Sequence, residues 1–121
     1  MTDKHTLVVG ASPNPDRYSY KAVVRLRQNN HPVYALGWRN GSIDEVAITK
    51  QWPDNHSIHT VTLYLGPPRQ PEFYQRIISL QPKRVIFNPG TENPTFQAML
   101  HNENIEVLEA CTLVMLSIGN Y

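Results

Sequence analysis

Apolar and polar residues follow two kinds of pattern along this chain. Short apolar runs occur at Thr6–Ala11, Pro32–Gly37, Ile58–Gly66, Arg84–Asn88 and Ile105–Glu109. Runs of this length predict short strands, and Thr6–Ala11, β-branched and ending in glycine, reads as one buried on both faces, as in parallel sheets. The stretches between them show helical spacing. Within Ser19–Asn29, Ala22, Val23 and Leu26 share a face, with Lys21, Arg25 and Gln28 opposite. Gln70–Leu80 brings Phe73, Ile77 and Leu80 together, and Thr91–Asn102 does so with Phe96, Met99 and Leu100. Cys111–Ile118 predicts a last short helix. Breakers separate these elements: Asn29-Asn30 before His31-Pro32, then Pro67-Pro68, Pro82, Pro89-Gly90 and Asn102–Asn104.

One interval resists the pattern. From Trp38 to Ser57, Asn40-Gly41 signals a turn, and Ile43, Val46 and Ile48 suggest a short ribbon or an irregular excursion. Trp52-Pro53 and Asp54-Asn55 close it, and nothing supports a long helix. Elsewhere strand and helix alternate. The expectation is an α/β fold: a three-layer, doubly wound parallel sheet of about five strands, in the order 3-2-1-4-5.

Composition narrows the reading. The 121 residues are 40% hydrophobic and 17% charged, which suits one compact domain spanning 1–121. A net charge of +1, with the basic residues scattered, offers no electrostatic case for nucleic acid or a membrane surface. A single cysteine excludes an internal disulfide and a multi-cysteine metal site, and points to a reducing, cytoplasmic setting. No signal peptide or membrane-length apolar run is visible.

The glycines carry the best functional clue. Gly10, Gly37, Gly66 and Gly90 fall at the ends of the first four predicted strands. Ligands of open parallel sheets bind at that carboxyl edge, and glycine lets them approach the backbone. Three arginines, Arg17, Arg39 and Arg69, follow the same exits, where guanidinium forks suit phosphate oxygens. Leu7–Tyr20 (LVVGASPNPDRYSY) therefore reads as strand, phosphate loop and helix start. Its Gly10-Ala11-Ser12-Pro13-Asn14-Pro15 is not the dinucleotide fingerprint, and no Walker loop is present. After the second strand, where an acid would hold a free ribose diol, stand Gly37, Trp38 and Arg39. This disfavours NAD and leaves NADP or coenzyme A, both of which carry a ribose phosphate. Trp38 is either a base-stacking residue or a semi-buried anchor.

At this point the chain resembles a known family, the small stand-alone CoA-binding proteins with a Rossmann-like fold. They are related to the CoA-binding domain of the succinyl-CoA synthetase α-subunit. The resemblance covers Thr6–Ser117 and rests on VVGASPNPDRYSY, LYLGPPRQ, IFNPGTEN and EACT. It implies that Gly10, Ala11, Ser12, Arg17 and Ser19, with Pro13 and Asn14 in the same loop, surround a pyrophosphate. It implies that Tyr64, Leu65, Gly66 and Pro67 line an adenosine or pantetheine wall, and that Asn88, Pro89 and Gly90 face the pantetheine arm. Relatives commonly carry a Pro-rich stretch where this chain has Gly37, Trp38 and Arg39, so adenine and ribose-phosphate contacts differ here. The phosphorylated histidine of the synthetases belongs to a second domain that has no counterpart in this sequence.

No catalytic constellation emerges. His56 and His59 straddle a loop and a strand start, a poor metal pair. Ser12 has no base at a telling spacing, so hydrogen bonding to phosphate is its better role. Cys111 follows the fifth strand on the ligand edge; it is a candidate contact for the CoA thiol or a buried small hydrophobe. The expectation is a module that binds coenzyme A or an acyl-CoA without chemistry of its own. The alternative is an NADP-binding or acyl-CoA-processing enzyme subunit. Partners other than the nucleotide would be a second copy or an enzyme subunit.

Overall fold

The computed structural model describes residues 3–53 and 58–121. Four strands, β1 (Thr6–Val9), β2 (Val33–Leu36), β3 (Ser42–Ile43) and β4 (Val46–Thr49), precede β5 (Thr60–Leu63), β6 (Arg84–Phe87) and β7 (Glu106–Glu109). The helices are α1 (Tyr18–Gln28), α2 (Tyr74–Leu80), α3 (Pro94–Asn102) and α4 (Thr112–Ser117). Two 3-10 turns, Pro67–Arg69 and Pro71–Phe73, lead into α2. The second occupies the start of the single helix expected over Gln70–Leu80, and each begins with a proline that supplies no amide to the turn before it. Among the described residues, no helix is long and apolar enough to cross a membrane.

The sheet has seven strands in the order β3-β4-β2-β1-β5-β6-β7. Every neighbouring pair is parallel except β3 with β4. This corrects the expected five strands and their order. The stretch Ile58–Gly66, expected beyond β2, instead supplies β5, which lies between β1 and β6. The place outside β2 is taken by the ribbon from the unclear interval: β4 pairs with β2 through Ala35 with Ile48 and Leu36 with Thr49. All four β5 residues are buried, as a central strand requires. The expectations for Asp54, Asn55, His56 and Ser57 lie outside the described residues.

Strand alternation builds two cores. Leu7 and Val9 point to one face, with Val61, Leu63, Val85 and Phe87, and pack on Ile77 of α2 and Phe96 and Leu100 of α3. Val8 points to the other face, with Ala35, and packs on Val23 and Leu26 of α1 and Leu116 of α4. The helices thus cover both faces of the sheet, and the connections leaving the neighbours β1 and β5 diverge, from β1 to β2 on one side and from β5 to β6 on the other. That divergence opens a crevice at the carboxyl ends of β1 and β5.

Candidate functional site: the crevice at the carboxyl edge

The loop after β1 is shaped by two glycines. Gly10 has φ +95°, and a Cβ there would lie 3.1 Å from Leu65 Cδ2 and 3.2 Å from the Tyr64 carbonyl. At Gly37 a Cβ would collide with the Ala11 carbonyl oxygen. The exit of β2 therefore touches the first loop directly, and only glycine fits between them. The Gly10 and Ala11 amides both donate to the Leu36 carbonyl at 2.9 Å, which fixes the loop to β2.

Beyond this anchor the loop holds itself. The Asn14 amide donates to Ser12 Oγ (3.1 Å), and the Asp16 amide to Asn14 Oδ1 (2.9 Å). The Arg17 amide donates to the Asn14 carbonyl (3.0 Å). Helix α1 then begins without a side-chain cap and without an acidic residue in its first turn. Its first-turn amides have no partners within the helix, and they carry the positive end of the helix dipole.

A cavity of about 480 Å³ lies in front of this turn. The first loop lends it Gly10, Ala11, Ser12 and Asn14, and the start of α1 adds Arg17, Tyr18 and Ser19. Trp38 and Arg39 come from the exit of β2, Tyr64 and Leu65 from the exit of β5, Arg69 from the first 3-10 turn and Pro89 from the exit of β6. Eleven residues singled out from the sequence as ligand contacts are therefore brought together. Tyr18 was not singled out, although its place between Arg17 and Ser19 at an uncapped helix start is a signal. Arg69 was grouped with Arg17 and Arg39 but not assigned a contact.

The lining is cationic and holds no carboxylate. Arg17, Arg39 and Arg69 are exposed. The one ion pair among the described residues joins Arg27 to Glu45 at 3.5 Å, so none of the three has an acidic partner there. The Arg69 guanidinium lies 5.1 Å from the centre of the Trp38 ring. Tyr64 contributes its ring, while its hydroxyl is buried and unbonded. The adjacent Thr62 and Thr112 hydroxyls bond each other at 2.8 Å instead. Burial, then the nearby Cys111 thiol, pushes the Tyr64 pKa well up, so the phenol stays neutral.

Other expected contacts are placed elsewhere. Asn88 is buried, and its side chain is spent on the fold: Nδ2 donates to Thr62 Oγ1 (2.6 Å) and the Leu63 carbonyl (2.9 Å), and Oδ1 accepts the Thr112 amide (2.9 Å). Pro13, Gly37, Gly66, Pro67 and Gly90 are outside the lining. Pro13 packs beneath Gly41 of the ribbon, and the Gly90 amide donates to Glu92 Oε1 (2.9 Å). Cys111 precedes α4, half-buried and outside the lining. His59 Nδ1 pairs with Thr60 Oγ1 at 2.8 Å.

Behind the cavity wall a closed amide network ties β5 to α3. Gln70 Nε2 donates to the Leu65 carbonyl (2.9 Å) and the Thr91 carbonyl (2.8 Å). Asn93 Nδ2 donates to Gln70 Oε1 and to the Tyr74 hydroxyl, each at 2.9 Å, while Asn93 Oδ1 caps α3 at the Phe96 amide (3.1 Å). Leu65 is thereby tied to the loop that leads into α3.

Residues 4–117 match the family described as CoA binding domain. The chain belongs to this CoA-binding family. A crystal structure of an uncharacterised protein shares 42% identity, with all of both chains covered and a TM-score of 0.96. A Thermus thermophilus protein superposes with a TM-score of 0.86 at 17% identity, over 98% of this chain and 91% of its own. A hypothetical protein from Pyrococcus horikoshii OT3 gives 0.86 at 19% identity, over 96% of this chain and 83% of its own. The last two are similar in fold alone. No curated protein matches the chain at a significant level. Within the family assignment, the carboxyl-edge crevice is where the chain offers hydroxyls, helix amides and guanidinium groups together.

Proposed function

We propose that this chain binds coenzyme A, or an acyl-CoA, in the crevice, with the Gly10–Ser19 loop as its phosphate site. The observation that carries this reading is a set of three arginines without carboxylate partners among the described residues, gathered around an uncapped helix start in a member of a CoA-binding family. Anions are favoured at such a helix end, and guanidinium groups add charge-assisted bonds. Ser12 and Ser19 supply hydroxyls. Pro13 and Pro15 supply no amide, and those of Asn14, Asp16 and Arg17 are already bonded within the loop, so the backbone donors are those of Ser12, Tyr18 and Ser19. Arg39 suits the ribose phosphate.

The lining contains hydroxyls, cations and a neutral phenol, and neither a histidine nor a carboxylate. That set suits holding phosphate better than moving protons. The proposed role is therefore a binding module of one domain, serving as carrier, sensor or subunit. NADP also carries a ribose phosphate, so an NADP-binding subunit is the competing reading. Calorimetric titration separates them. Coenzyme A is expected to bind more tightly than dephospho-CoA, and NADPH and ATP weakly. Preference for NADPH overturns the reading.

A further inference from the structure

Trp38 is an unusual residue to leave in the open. It is 38% exposed at the cavity edge, although a large aromatic ring gains most from burial. Two contacts hold it. Phe73 lies behind it, with ring centres 5.4 Å apart at 54°. Phe73 is itself braced by Trp52 at 5.9 Å, and Arg76 covers Trp52 at 5.9 Å. In front, the Arg69 guanidinium lies 5.1 Å from the ring centre. Arg69 is exposed and has no ion pair among the described residues, so its place over the indole is its recorded interaction.

A guanidinium and a purine make the same demand on an indole: both are flat and both stack on its face. A base covers more of the ring than a guanidinium does. An arginine released from an exposed cation–π contact also gains when it meets a phosphate oxygen, a charge-assisted bond with good geometry. Tyr18 is the other exposed aromatic ring at the cavity, 69% exposed. It is covered by Lys21 at 5.5 Å, and no ring among the described residues braces it. The braced ring beside two arginines is the better stacking platform.

We propose that Trp38 seats the purine of the ligand, and that Arg69 leaves the indole to engage a ligand phosphate. This rests on the coenzyme A reading and divides that ligand's affinity: the adenosine bisphosphate half carries the Trp38 contribution, and the pantetheine half does not. The exchange makes the chain selective for phosphorylated adenine nucleotides over bare phosphates, which leave Trp38 covered.

The test uses two readouts on the full chain. In Trp52→Phe, Trp38 is the single tryptophan, and its fluorescence is followed during titration with coenzyme A, adenosine 3′,5′-bisphosphate and 4′-phosphopantetheine. The first two are expected to quench it and the third to leave it unchanged. By calorimetry, Trp38→Ala is expected to weaken coenzyme A and adenosine 3′,5′-bisphosphate by the same factor, about tenfold, with 4′-phosphopantetheine unaffected. Trp38→Phe restores most of that loss. Arg69→Ala weakens adenosine 3′,5′-bisphosphate but not adenosine. If wild type binds coenzyme A while Trp38 stays unquenched, or if Trp38→Ala weakens all ligands equally or none, the purine seat is wrong and the coenzyme A reading stands. If wild type binds none of the ligands, both fall. The fluorescence arm leaves position 38 intact, so it decides the matter even if Trp38→Ala unfolds.

Discussion

Arginines stand at both ends of this sheet without carboxylate partners among the described residues, in opposite surroundings. At the carboxyl edge Arg17, Arg39 and Arg69 are exposed and border a cavity of about 480 Å³. At the amino edge Arg84 is 7% exposed. Its Nε donates to Thr60 Oγ1 at 2.8 Å, the Tyr121 ring covers it at 4.5 Å, and one terminal nitrogen has no partner. The Tyr121 hydroxyl bonds Thr6 Oγ1 at 2.6 Å and closes the row across β1, β5 and β6. A cation without a counter-charge is thus no ligand signal in itself. What separates the two ends is space: Arg84 is sealed under a ring, whereas the other three open onto a crevice made by diverging connections. Polar groups at the amino edge serve folding, and those at the crevice remain available.

The same contrast predicts how substitutions divide between stability and binding. The largest effect is expected at Asn88, which sequence reasoning placed at the ligand. Asn88→Ala strands Thr112 and Leu63 polar groups in the interior and should lower stability by about 3 kcal/mol in urea unfolding. Ligand affinity of the folded protein should change little; an affinity loss larger than the stability loss would move Asn88 into the site. Arg17→Ala is expected to do the reverse, weakening coenzyme A by about 1–3 kcal/mol in calorimetry at nearly unchanged stability. Tyr121→Phe loses the bond to Thr6 and should cost about 1 kcal/mol of stability, with no change in affinity. Arg39→Ala should narrow the gap between coenzyme A and dephospho-CoA by about 1 kcal/mol. Equal binding of the two by wild type would remove its assigned role.

The smallest expected effect is on pH dependence, and it belongs to the amino edge. His31 is held below its ordinary pKa of 6.5, first by partial burial and then by Lys4; His59 is lowered by burial and then by Arg84. In the unfolded chain both regain ordinary values, so the unfolded state binds more protons on the acid side. Their contribution is complete above about pH 6.5 and is lost as pH falls below it. Urea midpoints across this range should decline towards acid, and less steeply in His31→Gln. An unchanged slope in that variant would exclude His31 as a source.

Most of the element types were legible, for local reasons. The run Leu7–Val9 could only be a doubly buried strand, and the helical spacing of Ala22, Val23 and Leu26 matches the buried face of α1. The strand order was not legible. Val46–Thr49 reads locally as part of a short ribbon, and nothing in the sequence says which strand it joins. Its pairing with Ala35 and Leu36 nevertheless displaces the later strand to the other side of β1. Asn88 shows the same limit for the site. Following a strand in an Asn-Pro-Gly sequence, it has the local look of a ligand loop, but the side chain is claimed by Thr112, twenty-four residues further on.

The sequence by itself determined which segments become strands and helices, because periodicity and chain breakers act within a few residues of one another. It also determined where the cations stand in the chain. The tertiary structure decided which of those cations open onto a common space and which is sealed. It decided that Gly37 serves the close approach of β2 to Ala11, and that Trp38 is braced by Phe73 under Arg69. These outcomes depend on which strands become neighbours, and neighbours distant in the chain leave no local trace.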